Sequence, residues 1–262
     1  MQLVSRESGG HWYKPDGSPA YTQIKKDGGE RPTTLADARK QGLYPSVTTI
    51  MRLIAKPELD AWKQEQAILS ALTLSKSDDE SLEGFAKRVV VDSQEQGKNA
   101  ANFGSKVHDI IFDHFTNAKQ AEDDFHVMNL EIQRCLDVLG LIPVSMEKAT
   151  VGNGFAGKYD MLCKHNTTGK YWFIDFKTQD FKDKPTAYDE WLWQLGAYSL
   201  DRETATECDG AINIVIKRSD VKDVATIVYD QTQLKAGRHI FLSIFELWKL
   251  IKGYDPLKVD KK

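Results

Sequence analysis

Three stretches hold the residues whose types and spacing could do chemistry: Gly157-Lys158-Tyr159-Asp160, Ile174-Asp175-Phe176-Lys177-Thr178 and Gln194-Leu195-Gly196-Ala197-Tyr198. Side chains alternate along a strand, so Phe173, Asp175 and Lys177 share one face while Trp172, Ile174 and Phe176 take the other. A lysine two residues beyond a metal-binding aspartate reaches the same space, where it can orient an attacking water or neutralise charge on a phosphate. Asp-x-Lys in a strand is more often a solvated pair. Here the flanks Trp172, Phe173, Ile174 and Phe176 are apolar and predict a buried strand.

The turns then set which acids meet. Asn153-Gly154 between two strand-like runs is a strong signal for a two-residue hairpin turn. A turn centred there puts Glu147 opposite Asp160. The next connection is His165-Asn166-Thr167-Thr168-Gly169. Centred between Thr167 and Thr168, it puts Asp160 opposite Asp175. Glu147, Asp160 and Asp175 would then lie side by side across three strands, and a slip of one residue would separate them. Directly opposed like charges destabilise a sheet. A divalent cation removes that penalty, because Mg²⁺ and Mn²⁺ take hard oxygen ligands.

The positioning elements follow from pattern. Residues 11–24 read as a hairpin around Pro15-Asp16-Gly17, and 28–45 as mostly loop. Helices are expected over 47–54, capped by Ser46, from Pro57 toward residue 74, and over 80–96, 101–117 and 122–139. Strands follow over 144–151, 155–163 and 171–177, then a helix over 188–200, strands over 210–217 and 224–229, and a last amphipathic helix over 231–251. That helix carries Ile240, Ile244, Leu247 and Ile251 on one stripe. The fold class expected is α/β, a central mixed β-sheet flanked by helices with an N-terminal helical region. The division expected is 1–100, a hairpin and helical region able to form an arch or lid, and 101–262, the core that carries the acids.

Two further groups are ambiguous. His108 stands at helical spacing from Ile111, Phe112 and Phe115, on an inward apolar face. A lone histidine there is commonly a core residue bonded to backbone, yet a neutral imidazole also suits Mn²⁺. His114 falls off that face and reads as a surface residue. Trp191, Gln194 and Tyr198 share a helix face. Packing on the sheet accounts for Trp191, and the polar tips of Gln194 and Tyr198 suit contacts with a nucleic-acid strand.

Composition narrows the class. Hydrophobic residues make up 41% of the 262 and charged residues 28%, which excludes a disordered chain. The net charge of -3 excludes a uniformly basic coat, though not a local basic groove. Cys135, Cys163 and Cys208 form neither a disulfide framework nor a CxxC pattern. A reducing, cytoplasmic setting is expected. No apolar run approaches a membrane span, and the opening MQLVSRESGG has no hydrophobic signal core.

The three stretches, with Gly104-Ser105-Lys106-Val107-His108 upstream, resemble the PD-(D/E)XK nuclease superfamily in its RecB-like branch. That branch pairs a GxxD strand, a D-x-K strand and a helix with Q-x-x-x-Y, preceded by a G-x-x-x-H helix. The likeness covers roughly residues 104–198. Tyr44-Pro45-Ser46-Val47-Thr48-Thr49-Ile50, with Trp62 soon after, is similar to the mitochondrial genome maintenance exonucleases and related phage exonucleases. The resemblance implies a restriction-endonuclease-like sheet and one or two Mg²⁺ or Mn²⁺ ions. The implied metal ligands are Asp160, Asp175, His108 and the backbone carbonyl of Phe176, with Glu147 as a further acid that varies in the superfamily. Lys177 is the implied catalytic lysine, and Gln194 and Tyr198 the residues that place the DNA strand. The proline usual before the first acid is replaced by Tyr159. The four clustered cysteines of the iron–sulfur relatives are missing, so no cluster is expected.

The function expected is a metal-dependent DNA exonuclease acting on single-stranded or free-ended DNA in replication, recombination or repair, with a phage source among those implied. Two alternatives remain: a catalytically inactive nuclease-fold DNA-binding module, and a structure- or sequence-specific endonuclease.

Overall fold

The computed structural model describes residues 10–258, so the opening segment read above for a signal core lies almost entirely outside it. The elements are β1 (Trp12–Tyr13), β2 (Thr22–Ile24), β3 (Glu30–Pro32), α1 (Leu35–Gln41), β4 (Tyr44–Pro45), α2 (Val47–Met51), α3 (Pro57–Thr73), α4 (Leu82–Asn117) and α5 (Asp123–Val138). There follow β5 (Leu141–Met146), β6 (Ala149–Val151), β7 (Ala156–Lys158), β8 (Met161–His165), β9 (Tyr171–Gln179), α6 (Asp189–Tyr198), β10 (Cys208–Lys217), β11 (Val224–Tyr229) and α7 (Gln231–Lys252).

The chain divides into two compact units, Met1–Leu53 with Phe112–Lys262, and Ile54–Ile111. A boundary at residue 100 would cut through α4. The hairpin region goes with the sheet because its backbone is tied there: β1 pairs with β4, and Ser46 bridges to Ala156. The Tyr254 hydroxyl after α7 donates to the carbonyls of Ala38 (3.0 Å) and Leu43 (2.8 Å).

The first unit is built on a mixed five-stranded sheet in the order β11-β10-β9-β8-β5. β9 and β10 run parallel, joined through α6, and the other pairs are antiparallel. A parallel pair needs such a crossover. The expected central mixed sheet flanked by helices is therefore present. α6 and α7 cross where Gly196 meets Gly237; a Cβ on Gly196 would lie 2.6 Å from the backbone of Gly237 and Arg238. That closeness seats α6 on the sheet face bearing Asp175 and Lys177.

Several expected elements differ. Within 28–45 the chain forms α1, started by a capping box in which Thr34 accepts from the Asp37 amide and Asp37 from that of Thr34. The helices expected over 80–96 and 101–117 are one helix, α4. Gly97 costs about 1 kcal/mol in a helix, but no proline or cap follows to stop it. The strand expected over 144–151 breaks at Glu147, whose φ of 52° turns the chain from β5 into the β6–β7 hairpin. On α7 the buried stripe is Leu234, Gly237, Phe241, Ile244, Phe245 and Trp248, while Ile240, Leu247 and Ile251 face outward. The aromatic residues win that face because they fill the space against Trp12 and Phe155. His114 is half-buried, its ring edge-on to Phe115 (4.9 Å between ring centres).

The second unit holds α3, begun by Pro57 in its first turn, and α4 as far as Ile111. Arg88 pins the intervening loop by donating to Glu80 (2.8 Å) and to the Ser75 carbonyl (2.8 Å). Among the described residues, no helix is long and apolar enough to cross a membrane.

Candidate functional site

Both turns deliver the register that the sequence predicts. Across the Asn153-Gly154 turn, Ala149 pairs with Lys158, Thr150 with Gly157 and Val151 with Ala156. Continuing that ladder, the Glu147 amide donates to the Asp160 carbonyl at 2.9 Å. Across the second turn, Met161 pairs with Ile174 and Leu162 with Phe173. One step further Asp160 faces Asp175, and its Oδ2 accepts from the Phe176 amide at 2.7 Å. A carboxylate oxygen of Glu147 lies within 4.8 Å of one from Asp160.

Asp175 is 2% exposed, and its Oδ2 accepts from Lys177 Nζ at 2.7 Å. Lys177 also donates to Gln194 Oε1 (3.2 Å), and Gln194 Nε2 donates to the Tyr198 hydroxyl (2.8 Å). Asp175, Lys177, Gln194 and Tyr198 thus form one chain of polar contacts from β9 to α6. Burial pushes the Tyr198 phenol well up, and the charges of Asp175 and Asp160 add to that shift. The same hydroxyl therefore senses both acids. Trp191 packs as expected, with Lys177 Nζ 5.8 Å from its ring centre.

Two local features hold this geometry. Gly157 leaves room for the Tyr198 ring; a Cβ there would lie 2.8 Å from Tyr198 Cε1 and 3.3 Å from Val47 Cγ2. Tyr159, standing where the resembling nucleases carry proline, is buried with its hydroxyl 2.7 Å from Ser145 Oγ and its ring edge-on to Phe173. It anchors the bend before Asp160.

The sequence reading did not single out three residues that take part. Lys158 forms an ion pair with Glu147. Tyr13, whose phenol is pushed up chiefly by burial, then by Tyr21 and Glu147, accepts from the Tyr21 hydroxyl at 2.7 Å. Asn213 on β10, buried and in register with Asp175, donates to its carboxylate at 2.7 Å. Only Asn213 had a readable signal, a single amide inside the apolar run Ala211–Ile216.

His108 belongs to the other unit, where it lies half-buried on α4 beside the buried Val107. Lys217 and Arg218, at the end of β10, are engaged with Asp223 (3.1 Å) and Asp180 (3.2 Å). Two close carboxylates with a third acid one strand away make an all-oxygen donor set, and that chemistry fits a hard divalent cation.

No protein-family model matches the chain, and no curated protein matches it. Among solved structures it is similar to SSO0001, at 12% identity and TM-score 0.31, over 72% of this chain and 87% of that one. It is also similar to an alkaline exonuclease from Laribacter hongkongensis, at 11% identity and TM-score 0.27, over 74% of this chain and 98% of that one.

Proposed function

We propose that the protein is a metal-dependent deoxyribonuclease, an exonuclease that hydrolyses phosphodiester bonds in single-stranded or free-ended DNA during replication, recombination or repair. The observation that supports this most is the sharing of one face by a buried acid, a lysine two residues on and a second acid across the strand pair. Glu147, Asp160 and Asp175 would be the oxygen ligands for Mg²⁺ or Mn²⁺, with the Phe176 carbonyl as a further donor in keeping with the sequence resemblance. A cation held there supplies a water of lowered pKa and stabilises charge on the phosphate.

The chain's own residues do the rest. Lys177 turns its ammonium toward the attacking water and the phosphate oxygens, where a positioned charge lowers the barrier. Gln194 limits where that ammonium can go, because its Oε1 accepts from Nζ while its amide is fixed on Tyr198. The Tyr198 phenol stays neutral through the physiological range, being pushed well up by burial. Buried as it is, it serves as a neutral hydroxyl that fixes the Gln194 amide and does not itself reach the strand.

The test is a time course on 5′-labelled and 3′-labelled linear single strands and on closed circular DNA, with Mg²⁺, Mn²⁺ or EDTA. Metal-dependent loss of linear label with the circle intact supports the exonuclease. Nicking of the circle would convert the reading to an endonuclease, and binding without cleavage to an inactive DNA-binding module.

A further inference from the structure

Asn213 sits at the middle of β10, 0% exposed, flanked by Ile212 and Ile214 in a strand that is otherwise apolar from Ala211 to Ile216. Burying an amide there is unfavourable unless its hydrogen bonds are made. Only one end is satisfied. Nδ2 donates to Asp175 Oδ2 at 2.7 Å and to the Asp175 main-chain carbonyl at 3.3 Å. Oδ1 is buried with no hydrogen-bond partner among the described residues. An apolar side chain of the same volume would avoid that orphaned acceptor. Packing alone therefore gives no reason for asparagine at this position.

The two bonds from one nitrogen grip both the main chain and the carboxylate of Asp175, which fixes its side-chain torsions. Lys177 Nζ shares the same oxygen, Oδ2. If the lysine were the sole partner, the carboxylate would lose its orientation whenever the lysine turned toward substrate. We propose that Asn213 is a positioning residue that holds the Asp175 carboxylate for cation binding independently of Lys177. The acid stays fixed while the lysine is left to move. This rests on the reading of Asp175 as a metal ligand.

Groups that orient a metal ligand typically change metal affinity about 10- to 100-fold when removed. The experiment compares wild type, Asn213→Leu, which keeps the volume, and Asn213→Ala, which avoids any clash. Ile214→Val, a buried change on the opposite face of the same strand, is the control for stability alone. Two quantities are read as Mn²⁺ is titrated into the intact protein: the concentration giving half the rise in melting temperature, and the concentration giving half-maximal cleavage. Both should rise about tenfold or more in the two Asn213 variants and stay near wild type in Ile214→Val. If both Asn213 variants stay within about twofold of wild type, or if Ile214→Val shifts as far as they do, Asn213 is structural and the proposal fails. A wild type whose melting temperature ignores Mn²⁺ overturns the metal reading itself, and this proposal with it.

Discussion

Glu147 offers a test in which strain and function pull apart. Its φ of 52° is a conformation in which a side chain costs about 1–2 kcal/mol relative to glycine. Glycine gives back about 0.4–1 kcal/mol through its greater freedom in the unfolded chain. Glu147→Gly and Glu147→Ala both lose the ion pair with Lys158, so that contribution cancels between them. The glycine variant should be the more stable of the two by roughly 0.8 kcal/mol, the balance of the mid-values of those figures. In a domain of this size 1 kcal/mol is about 2–4 °C of melting temperature. At an ordinary strand position the order is reversed, with glycine worse by roughly 0.5–1 kcal/mol. Melting curves in EDTA read the difference. Both variants should need more Mn²⁺ for cleavage than wild type. An alanine variant that is clearly the more stable would refute the strain argument, and unchanged metal requirements would remove Glu147 from the ligand set.

Lys177→Ala should lower turnover roughly 10²-fold or more while DNA binding persists, because it removes a stabilising charge and no metal ligand; turnover within about threefold of wild type would exclude the assigned role. Gly157→Ala should displace Tyr198, against which the new methyl would lie at 2.8 Å. Its loss of activity should be accompanied by a lower melting temperature, and a fully stable, fully active variant would show that the close approach does not matter. Burial, with the charge of His126 added, holds the His114 imidazole below its ordinary value of 6.5. The unfolded chain then binds more protons in that range, so this group's contribution to stability falls as pH drops from about 7 toward 5. Urea titrations across that window should show a shallower decline in His114→Gln, and parallel curves for the two proteins would contradict the placement.

The acid row was legible because one two-residue turn fixes a register. Once Asn153-Gly154 is taken as the turn, the side-chain period of two leaves Glu147 no choice but to oppose Asp160. The second turn was recoverable because Gly169 ends it at a positive φ of 67°. The site's remaining parts depend on contacts between elements far apart in sequence. Asn213 reaches Asp175 across a parallel pair, whose register is set by packing of α6 and not by a turn. Lys158, by contrast, meets Glu147 as the diagonal neighbour of its hairpin partner Ala149, a pairing that follows from the Asn153-Gly154 turn. Elsewhere α1 was marked by Thr34 and Asp37, a signal the surrounding glycines and prolines obscured. The length of α4 was hidden by Gly97, which lowers local helix preference without ending the helix. The outward set on α7 was as apolar as the buried one, and aromatic volume, not periodicity, decided between them.

The most direct test of the account is the response of Asp160→Asn to a divalent cation. Asp160 accepts from the Phe176 amide, has a carboxylate oxygen close to one of Glu147 and faces Asp175 in the strand register, so asparagine keeps the shape and removes a charge. Melting curves of wild type and Asp160→Asn are recorded with EDTA and with millimolar Mn²⁺. A cation that binds only the folded state raises the melting temperature by mass action. The account predicts a rise in wild type and its loss in Asp160→Asn, whose metal-free form melts no lower than wild type because mutual repulsion has been relieved. A metal-induced rise that survives in Asp160→Asn would place the cation elsewhere and contradict the central claim.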